Sequence, residues 1–560
     1  MKLIHNATIY TADSSFSKVG AMVFDKGIII ETGDYKILKD RYEDAVPIDA
    51  KGRAILPGFI DPHIHFLIGA FSNGSFDCTP EKVPDIERLK SRLHEVAQTT
   101  PEGLWVVGQG YDPVKYHHHR QPSRYDLDEA CPNQPAMIIH YSLHEVILNS
   151  EALRLIGVDR LTPQPAAGVI EKDRKGEPTG RLIESISGKA ISIALGNWIE
   201  CSGDRLFNQI KIAEQLLFSF GVTRVGDPAV STREWALYEH LYRHGVLQLP
   251  VVAYPANDGN MYDLPVAKAD NKRGGSHEEM PILGPVKFFL DGSDRAAVRL
   301  NILQGVLSVA RTCIRMISRW SMDPLRIMLR SPFFLGHDFK LHFGVRMAKT
   351  PDLKRCVNKA VMNGHPVAFH AIGNEAIEQA VQVMNTLKVR YTHPAPPRIE
   401  HALFPSERDI QLIQQAGMAI ATQPAFLSHM GSDNLPPIKG LKMLPLRSYI
   451  DAGIHVSGSS DWPVVSCNPL IAIERAVTRK TLDGETLDPV EAITVKEAIR
   501  MYTWEAAYLL GQTDRIGSLE PGKRADFIIL NQDPLKEPPG NISAIHVEKT
   551  YLHGELVFSR

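Results

Sequence analysis

Cysteine pairs, long apolar runs and an excess of charge are all missing from this chain of 560 residues. Its six cysteines include no Cys-x-x-Cys pair, which argues against a disulfide framework and against a zinc–thiolate site. No apolar run approaches the length that crosses a bilayer, and the N-terminus lacks a signal core, so we expect a cytoplasmic protein without a membrane partner. A formal net charge of −2 without a basic stripe argues against nucleic-acid binding. A small molecule is therefore the expected partner.

Both ends of the chain carry short strand patterns separated by turn residues. We therefore expect one small β domain built from residues 1–53 and 514–560. Its strand candidates are residues 3–10, 21–24, 28–32, 46–48, 525–530, 544–547 and 550–552.

The middle of the chain alternates apolar strand patterns with helical ones, which is typical of a parallel α/β fold. Apolar residues at helical spacing predict a helix over residues 204–220, and Ser406-x-x-Asp409 resembles a capping box that begins another. Eight such units fit a (β/α)8 TIM barrel, which we assign to residues 54–66 and 205–513. The strand candidates are residues 54–60, 222–227, 251–255, 286–291, 366–370, 398–401, 419–424 and 455–460.

The stretch between the first two barrel strands is far too long for a loop, so we expect an inserted subdomain at residues 67–204. Residues 304–350 are also irregular and are expected to form helices or a lid. The three adjacent histidines at positions 117–119 cannot all face one ion in regular structure, and we interpret them as a solvated loop.

Potential metal ligands stand near the carboxyl ends of five strand candidates, where barrel enzymes hold their catalytic residues. His63 and His65, one residue apart, would project from the same side of a strand. Imidazole and carboxylate ligands suit a divalent metal such as zinc, as one ion or two. The remaining candidate ligands, in chain order, are Lys287, His370, His401 and Asp461.

In this order the ligand set resembles that of the amidohydrolase superfamily. The sequence around the candidate ligands resembles its YtcJ-like branch, amidohydrolase family 3. The resemblance implies a metal-dependent hydrolase with a barrel, a β-sandwich formed by both termini, and a homodimer. The matching segments are Pro57-Gly-Phe-Ile-Asp61, Gly221-Val-Thr-Arg-Val-Gly-Asp227, Val286-Lys-Phe288, Asp291-Gly-Ser293, His370-Ala-Ile-Gly373, Arg398-Ile-Glu-His-Ala402, Ser460-Asp-Trp-Pro463 and the run from Ile516 to Asp526.

The same resemblance implies roles for four further positions. A lysine inside a strand is expensive to bury, and many relatives carboxylate it so that it bridges two metals, as we expect for Lys287. The alternative is a neutral or acid-paired lysine beside a single metal. Three residues lie in sequence segments that recur in the family and that the resemblance places near the substrate pocket: His144, Glu184 and Asp291. For Glu184 the alternative is an exposed acid at the start of a helix.

The predicted reaction is attack by metal-activated hydroxide on a carbonyl carbon, with Asp461 as the general base. The leading substrate class is an N-acyl or N-formyl amide, whose C–N bond is not a peptide bond. Deaminase, lactonase and esterase activities share this ligand set and stay open. A non-catalytic scaffold is the remaining alternative; such relatives usually lack ligands, whereas all six are present here.

Overall fold

A computed structural model of the chain describes residues 1–112, 121–165, 167–256, 280–293, 295–319, 332–430, 438 and 440–560. Its strands form five hydrogen-bonded sheets, and the whole is a mixed α/β structure. The three adjacent histidines at 117–119 lie outside the described residues. Among the helices of the described part, none combines the length and apolar character that crossing a bilayer requires.

Strands from both termini pair in one sheet. A β-bridge between Ile28 and Arg524 joins the edge strand Ile28–Gly33 to the segment before Phe527–Leu530. The sheet encloses an apolar core of its own. The candidate strand at 544–547 is wrong, because Pro539–Ala544 forms a 3-10 helix and Val547–Leu552 is one strand. In spatial order the strands are Glu555–Ser559, Val547–Leu552, Phe527–Leu530, Val46–Pro57, Lys2–Tyr10, Ala21–Asp25 and Ile28–Gly33, with Lys18–Val19 beside Lys2–Tyr10 and helix Tyr35–Arg41 packed against them.

The described middle of the chain contains nine parallel strands in sequence order. Eight of them overlap the predicted strands, and the ninth is the short Ile282–Leu283. They belong to two sheets, which a parallel bridge between Ala256 and Lys287 connects. Most of their residues are buried on both faces, which is why the sequence shows continuous apolar runs. The first sheet contains Phe59–Asp61, Val222–Val230, Val251–Pro255 and the short Ile282–Leu283; the second contains Val286–Phe289, Val367–Gly373, Arg398–Phe404, Ala419–Thr422 and Val456–Gly458.

The first predicted strand, residues 54–60, is divided between two sheets. Its first part completes Val46–Pro57 in the terminal sheet, whereas Phe59–Asp61 pairs with Val222–Val230. The partner changes at Gly58, whose N–H donates to Asp526 O, while the Phe59 N–H donates to Gly221 O. A Cβ at Gly58 would lie 2.3 Å from the Thr223 hydroxyl, so only glycine fits this crossing.

Helices separate most of the parallel strands. Asp204–Ser219 matches the predicted helix, and its buried face consists mainly of apolar side chains. The Ser406–Asp409 capping box is confirmed at the start of Glu407–Gln415. The other helices of this region are Thr232–Arg243, Thr350–Met362, Asn374–Asn385, Leu427–Met430, Leu446–Asp451, Pro469–Thr478, Val495–Met501 and Trp504–Leu509, with 3-10 turns at Pro424–Phe426 and Pro489–Glu491.

The segment after Phe59–Asp61 has a sheet of its own. Its strands, in spatial order, are Gly168–Lys172, Pro178–Glu184, Glu145–Leu148, Ala136–His140, Val106–Tyr111 and Phe76–Asp77. Its helices are Phe66–Ser72, Ile86–Thr99, Arg124–Ala130, Ser150–Ile156 and Ser185–Cys201. The irregular region around 304–350 contains helix Ile302–Arg319 and a small sheet of Val298–Leu300, Leu341–Phe343 and Phe333–Leu335.

Candidate metal centre

Three buried side chains from distant parts of the chain meet at the carboxyl ends of the parallel strands. His63, His401 and Asp461 each offer one ligand atom, and these atoms all lie within 4.8 Å of one another. His65 joins them, because its Nε2 lies 3.2 Å from Asp461 Oδ1 and the Nε2 of His63 lies 3.3 Å from the same oxygen. The cluster is a candidate site for one divalent metal ion.

His63 and His65 reach Asp461 by a route other than the predicted one. The strand ends at Asp61, so alternation along a strand cannot bring the two rings together. His63 lies in the loop that follows, and His65 is the N-cap residue of helix Phe66–Ser72. Backbone hydrogen bonds fix this loop, since the Asp461 N–H donates to His63 O over 2.8 Å and the His65 N–H donates to Trp462 O over 2.9 Å.

His370 and Lys287 lie beside this cluster. The ring centroid of His370 is 4.5 Å from that of His401, and Lys287 Nζ is 5.4 Å from the ring centroid of Phe289. Within the described residues, Lys287 Nζ and His370 Nε2 are both buried without a hydrogen-bond partner. Buried polar atoms are nearly always paired, so two such atoms beside the carboxylate of Asp461 fit a site for a divalent cation.

The protonation of His401, His370 and Asp461 suits metal binding, which requires neutral imidazoles and ionised carboxylates. Burial lowers the pKa of His401 to about 3 and brings the pKa of His370 well below its usual value. Although burial opposes ionisation of Asp461, the neighbouring His63 and His65 hold its pKa well below the usual range. Burial lowers the pKa of Lys287 to about 8, which increases its neutral fraction near neutral pH.

A cavity opens beside His65, and most of its lining comes from the segment between Phe59–Asp61 and Val222–Val230. His144 and Glu184 both line it, and His144 Nδ1 donates to Glu184 Oε2 over 2.8 Å. The ring centroid of His144 is 5.8 Å from that of His370, so this pair lies next to the candidate ligands. Glu184 is buried, which removes the alternative of an exposed acid at a helix start.

The sequence matches the model of a known family, described as the amidohydrolase family, over residues 47–558. The chain belongs to the amidohydrolase family. The prediction of a YtcJ-like amidohydrolase is therefore confirmed.

Full-length relatives support this assignment. The N-substituted formamide deformylase of Arthrobacter pascens is 28% identical over 570 residues, covering 100% of this amidohydrolase and 98% of that protein. The putative amidohydrolase YtcJ of Bacillus subtilis (strain 168) is 26% identical over 579 residues and is covered, like this chain, to 100%. An uncharacterized metal-dependent hydrolase from Pyrococcus horikoshii shares the fold, with a TM-score of 0.69, 23% identity and coverage of 96% and 99% of the two chains.

The amidohydrolase also holds its histidines through residues that sequence reasoning missed. Glu400 accepts a hydrogen bond from His63 Nδ1 over 2.6 Å and another from Arg398 Nε over 2.7 Å. His401 Nδ1 donates to Gln423 Oε1 over 2.8 Å. Such partners fix the tautomer, so that Nε2 is the ligand atom. The one available signal was that Glu400 stands directly before the predicted ligand His401.

Glu400 and His401 are neighbours in sequence, yet both contribute to the same site. Successive residues of a regular strand point to opposite faces. His401 has φ 76° and Ala402 has φ 46°, so the backbone leaves the regular pleat at this point. The strained backbone lets Glu400 contact His63 while His401 joins the cluster.

Two buried aspartates connect the loops that carry the candidate ligands. Asp61 Oδ1 accepts hydrogen bonds from the N–H groups of His63 and Ser460, and burial raises the pKa of Asp61 to about 6. The carboxylate of Asp291, a predicted substrate contact, accepts the N–H groups of three residues and does not line the cavity. Those three donors are Ala297, Ile372 and Gly373.

Proposed function

We propose that this amidohydrolase hydrolyses C–N bonds other than peptide bonds, in N-formyl or N-acyl amides, with a divalent metal held by its buried cluster. The observation that carries the proposal is the convergence of His63, His401 and Asp461 on one point. His65 adds to it, because its Nε2 lies 3.2 Å from Asp461 Oδ1. Similarity to an N-substituted formamide deformylase along the whole chain supports the substrate class. We further propose that the eight parallel strands other than Ile282–Leu283 close into a (β/α)8 barrel. The sheet formed by both termini would then be the β-sandwich beside it.

Six residues would hold the metal, and their imidazole and carboxylate groups suit zinc. When bound, a divalent cation would lower the pKa of its water molecule to about 7 and would polarise the carbonyl oxygen of the substrate. Asp461 then takes the proton of the attacking water and delivers it to the leaving nitrogen. The proposed ligands are His63, His65, Lys287, His370, His401 and Asp461.

Lys287 enters this proposal as a carboxylated lysine. Its ammonium form would repel a neighbouring cation, whereas attack of the neutral amine on carbon dioxide, with loss of one proton, gives an anionic carbamate. The lowered pKa, about 8, makes the neutral amine available, and Nζ has no hydrogen-bond partner in the described residues that would prevent the reaction. Such an anion can bridge two metals.

Carboxylation of Lys287 is testable directly. In metal-loaded protein supplied with ¹³C-labelled bicarbonate, we expect one carbamate resonance in the carbon NMR spectrum. The Lys287→Arg variant should lack it, because its guanidinium is not a nucleophile, whereas the exposed-site variant Lys480→Arg should retain it. A spectrum of the wild type without the resonance would contradict the carboxylation and favour a single metal beside an unmodified lysine.

His144 and Glu184 are proposed to contact the substrate. Because Glu184 accepts the Nδ1 proton, the ring of His144 is held in one orientation at the cavity wall. Asp291 is proposed to act at a distance from the substrate, since its carboxylate already accepts three backbone N–H groups of the loops around His370.

The experiment that tests the function is a substrate screen of zinc-loaded protein combined with metal analysis. N-formyl amines, N-acyl amines, cyclic amides, lactones, esters and amino-heterocycles are compared by kcat/KM. We expect the highest value for a formyl or acyl amide and about one or more metal equivalents per chain, since the ligands are buried and preformed. Preference for a lactone, ester or amino-heterocycle would replace the proposed reaction, and less than about a tenth of a metal equivalent would favour a non-catalytic scaffold.

A further inference from the structure

One helix of the inserted segment forms a continuous wall of the cavity. Helix Ser185–Cys201 presents one face to it, with residues spaced at one and two helical turns. Those residues are Ser187, Gly188, Ile191, Ser192 and Leu195. Because a helix rises 1.5 Å per residue, this face extends about 12 Å from Ser187 to Leu195. The wall is therefore long enough to accompany an extended substituent.

The rest of the wall is largely apolar. Leu67 and Ile68 come from the helix after His65, Leu143 precedes His144, and Phe289 and Met347 complete the apolar part of the lining. Apolar surface of this kind favours a ligand group that leaves water without losing hydrogen bonds.

The acidic residues in the lining already have partners. Glu184 accepts from His144, Asp227 accepts from the hydroxyl of Tyr238, and Glu234 accepts from the Ser231 N–H over 2.6 Å. Among the described residues that line the cavity there is no lysine or arginine. A carboxylate on the ligand would therefore lose its water and gain no lysine or arginine partner from this lining.

We infer that the cavity selects amides whose substituent is uncharged and apolar, and rejects those that carry a carboxylate next to the amide. This inference rests on the proposed function and specifies its substrate. For an N-formyl amine, whose acyl part is a single carbon, the selected group is the substituent on nitrogen. The inserted helix is then the element that determines specificity.

A matched pair of substrates tests the selection. N-formylpentylamine and N-formylnorleucine differ only by the carboxylate, and we expect kcat/KM to be at least about 100-fold higher for the amine. Along N-formyl alkylamines from ethyl to pentyl, kcat/KM should rise about fourfold per methylene, as burial of each CH₂ predicts. Equal or higher kcat/KM for N-formylnorleucine would overturn the inference and leave the proposed reaction intact.

Failure of the proposed function gives a different result. If zinc-loaded protein hydrolyses neither compound nor any other amide, the proposed amide hydrolysis is wrong. The dissociation constants of the same two compounds then test whether the cavity selects an apolar substituent. Tighter binding of N-formylpentylamine by at least about tenfold supports the apolar cavity, whereas equal or weaker binding overturns it.

Two arginine substitutions on the same helix provide the matched control. Ser192→Arg places a cation in the cavity wall and should reduce the preference for the amine over N-formylnorleucine by at least about tenfold. Asn197→Arg lies outside the lining and should leave the preference unchanged. Equal preferences in the two folded variants, judged by their circular dichroism and Tm, would overturn the assignment of this wall.

If Ser192→Arg fails to fold, Ser192→Leu tests the same wall by size alone. It should lower kcat/KM for N-formylpentylamine more than for N-formylethylamine, since the longer chain needs the filled space. An equal effect on both chain lengths would overturn the assignment.

Discussion

Replacing Asp461 with asparagine is expected to lower kcat by roughly 10²–10⁴-fold, the range typical of a lost general acid–base group. The amide oxygen would keep the position of Asp461 Oδ1 beside His63 and His65 and could still serve as a ligand, so the metal content should stay near that of the wild type. The amide cannot accept the proton of the attacking water, because it lacks the ionised carboxylate that the two histidines stabilise in Asp461. Steady-state kinetics and metal analysis of the same preparation measure both quantities.

The control for this experiment is Asp483→Asn, the same change at an exposed aspartate in a turn. It should leave kcat and metal content unchanged. Wild-type kcat in Asp461→Asn would remove Asp461 from the proton transfer. Loss of metal together with kcat would instead show that its main contribution is ligation.

Replacing Glu400 with glutamine is expected to weaken zinc binding by about 10–100-fold, as for other residues that orient a metal-bound histidine. Glu400 lies between His63 Nδ1 and Arg398, and both partners are buried. Glutamine keeps the shape of the side chain but removes the charge that raises the pKa of His63 against the effect of burial. Competition with a chelator of known affinity measures the zinc dissociation constant.

The same variant should also lose stability in the metal-free protein. Arg398 would keep its buried charge without the carboxylate that balances it, which typically costs about 3–5 kcal/mol in the free energy of unfolding. Urea unfolding of the apoprotein measures this change. Glu407→Gln, at an exposed carboxylate paired with Lys442, is the matched control and should shift stability by less than about 1 kcal/mol. An unchanged zinc affinity in Glu400→Gln would contradict the orienting role.

Eight strands of the central sheets were predictable because most of their residues are buried on both faces, so that each appears as a short apolar run. The helix at Asp204–Ser219 and the capping box at Ser406 were predictable for a similar reason, since their signals lie within a few residues. The division of residues 54–60 was not predictable. It depends on Asp526 and Gly221, which lie far away in sequence and provide the two hydrogen-bonding partners on either side of Gly58.

The candidate ligands were found as residue types at strand ends, but their geometry was not. Strand alternation was the wrong reason for the convergence of His63 and His65, because both follow the strand and are positioned by contacts with the loop of Asp461. Gln423 follows the strand that pairs with the strand of His401, whereas Glu400 and His63 belong to segments of different sheets. Sequence spacing does not encode such contacts.

By itself the sequence determined the family, the approximate positions of eight parallel strands and a set of candidate metal ligands. These follow from local patterns, because a buried strand needs apolar residues and a metal needs imidazole or carboxylate groups. Only the tertiary structure decided which atoms face one another, which polar atoms are left without partners, and which helix forms the wall of the cavity. Those features arise from packing between segments hundreds of residues apart, where distance and burial, rather than residue type, set the chemistry.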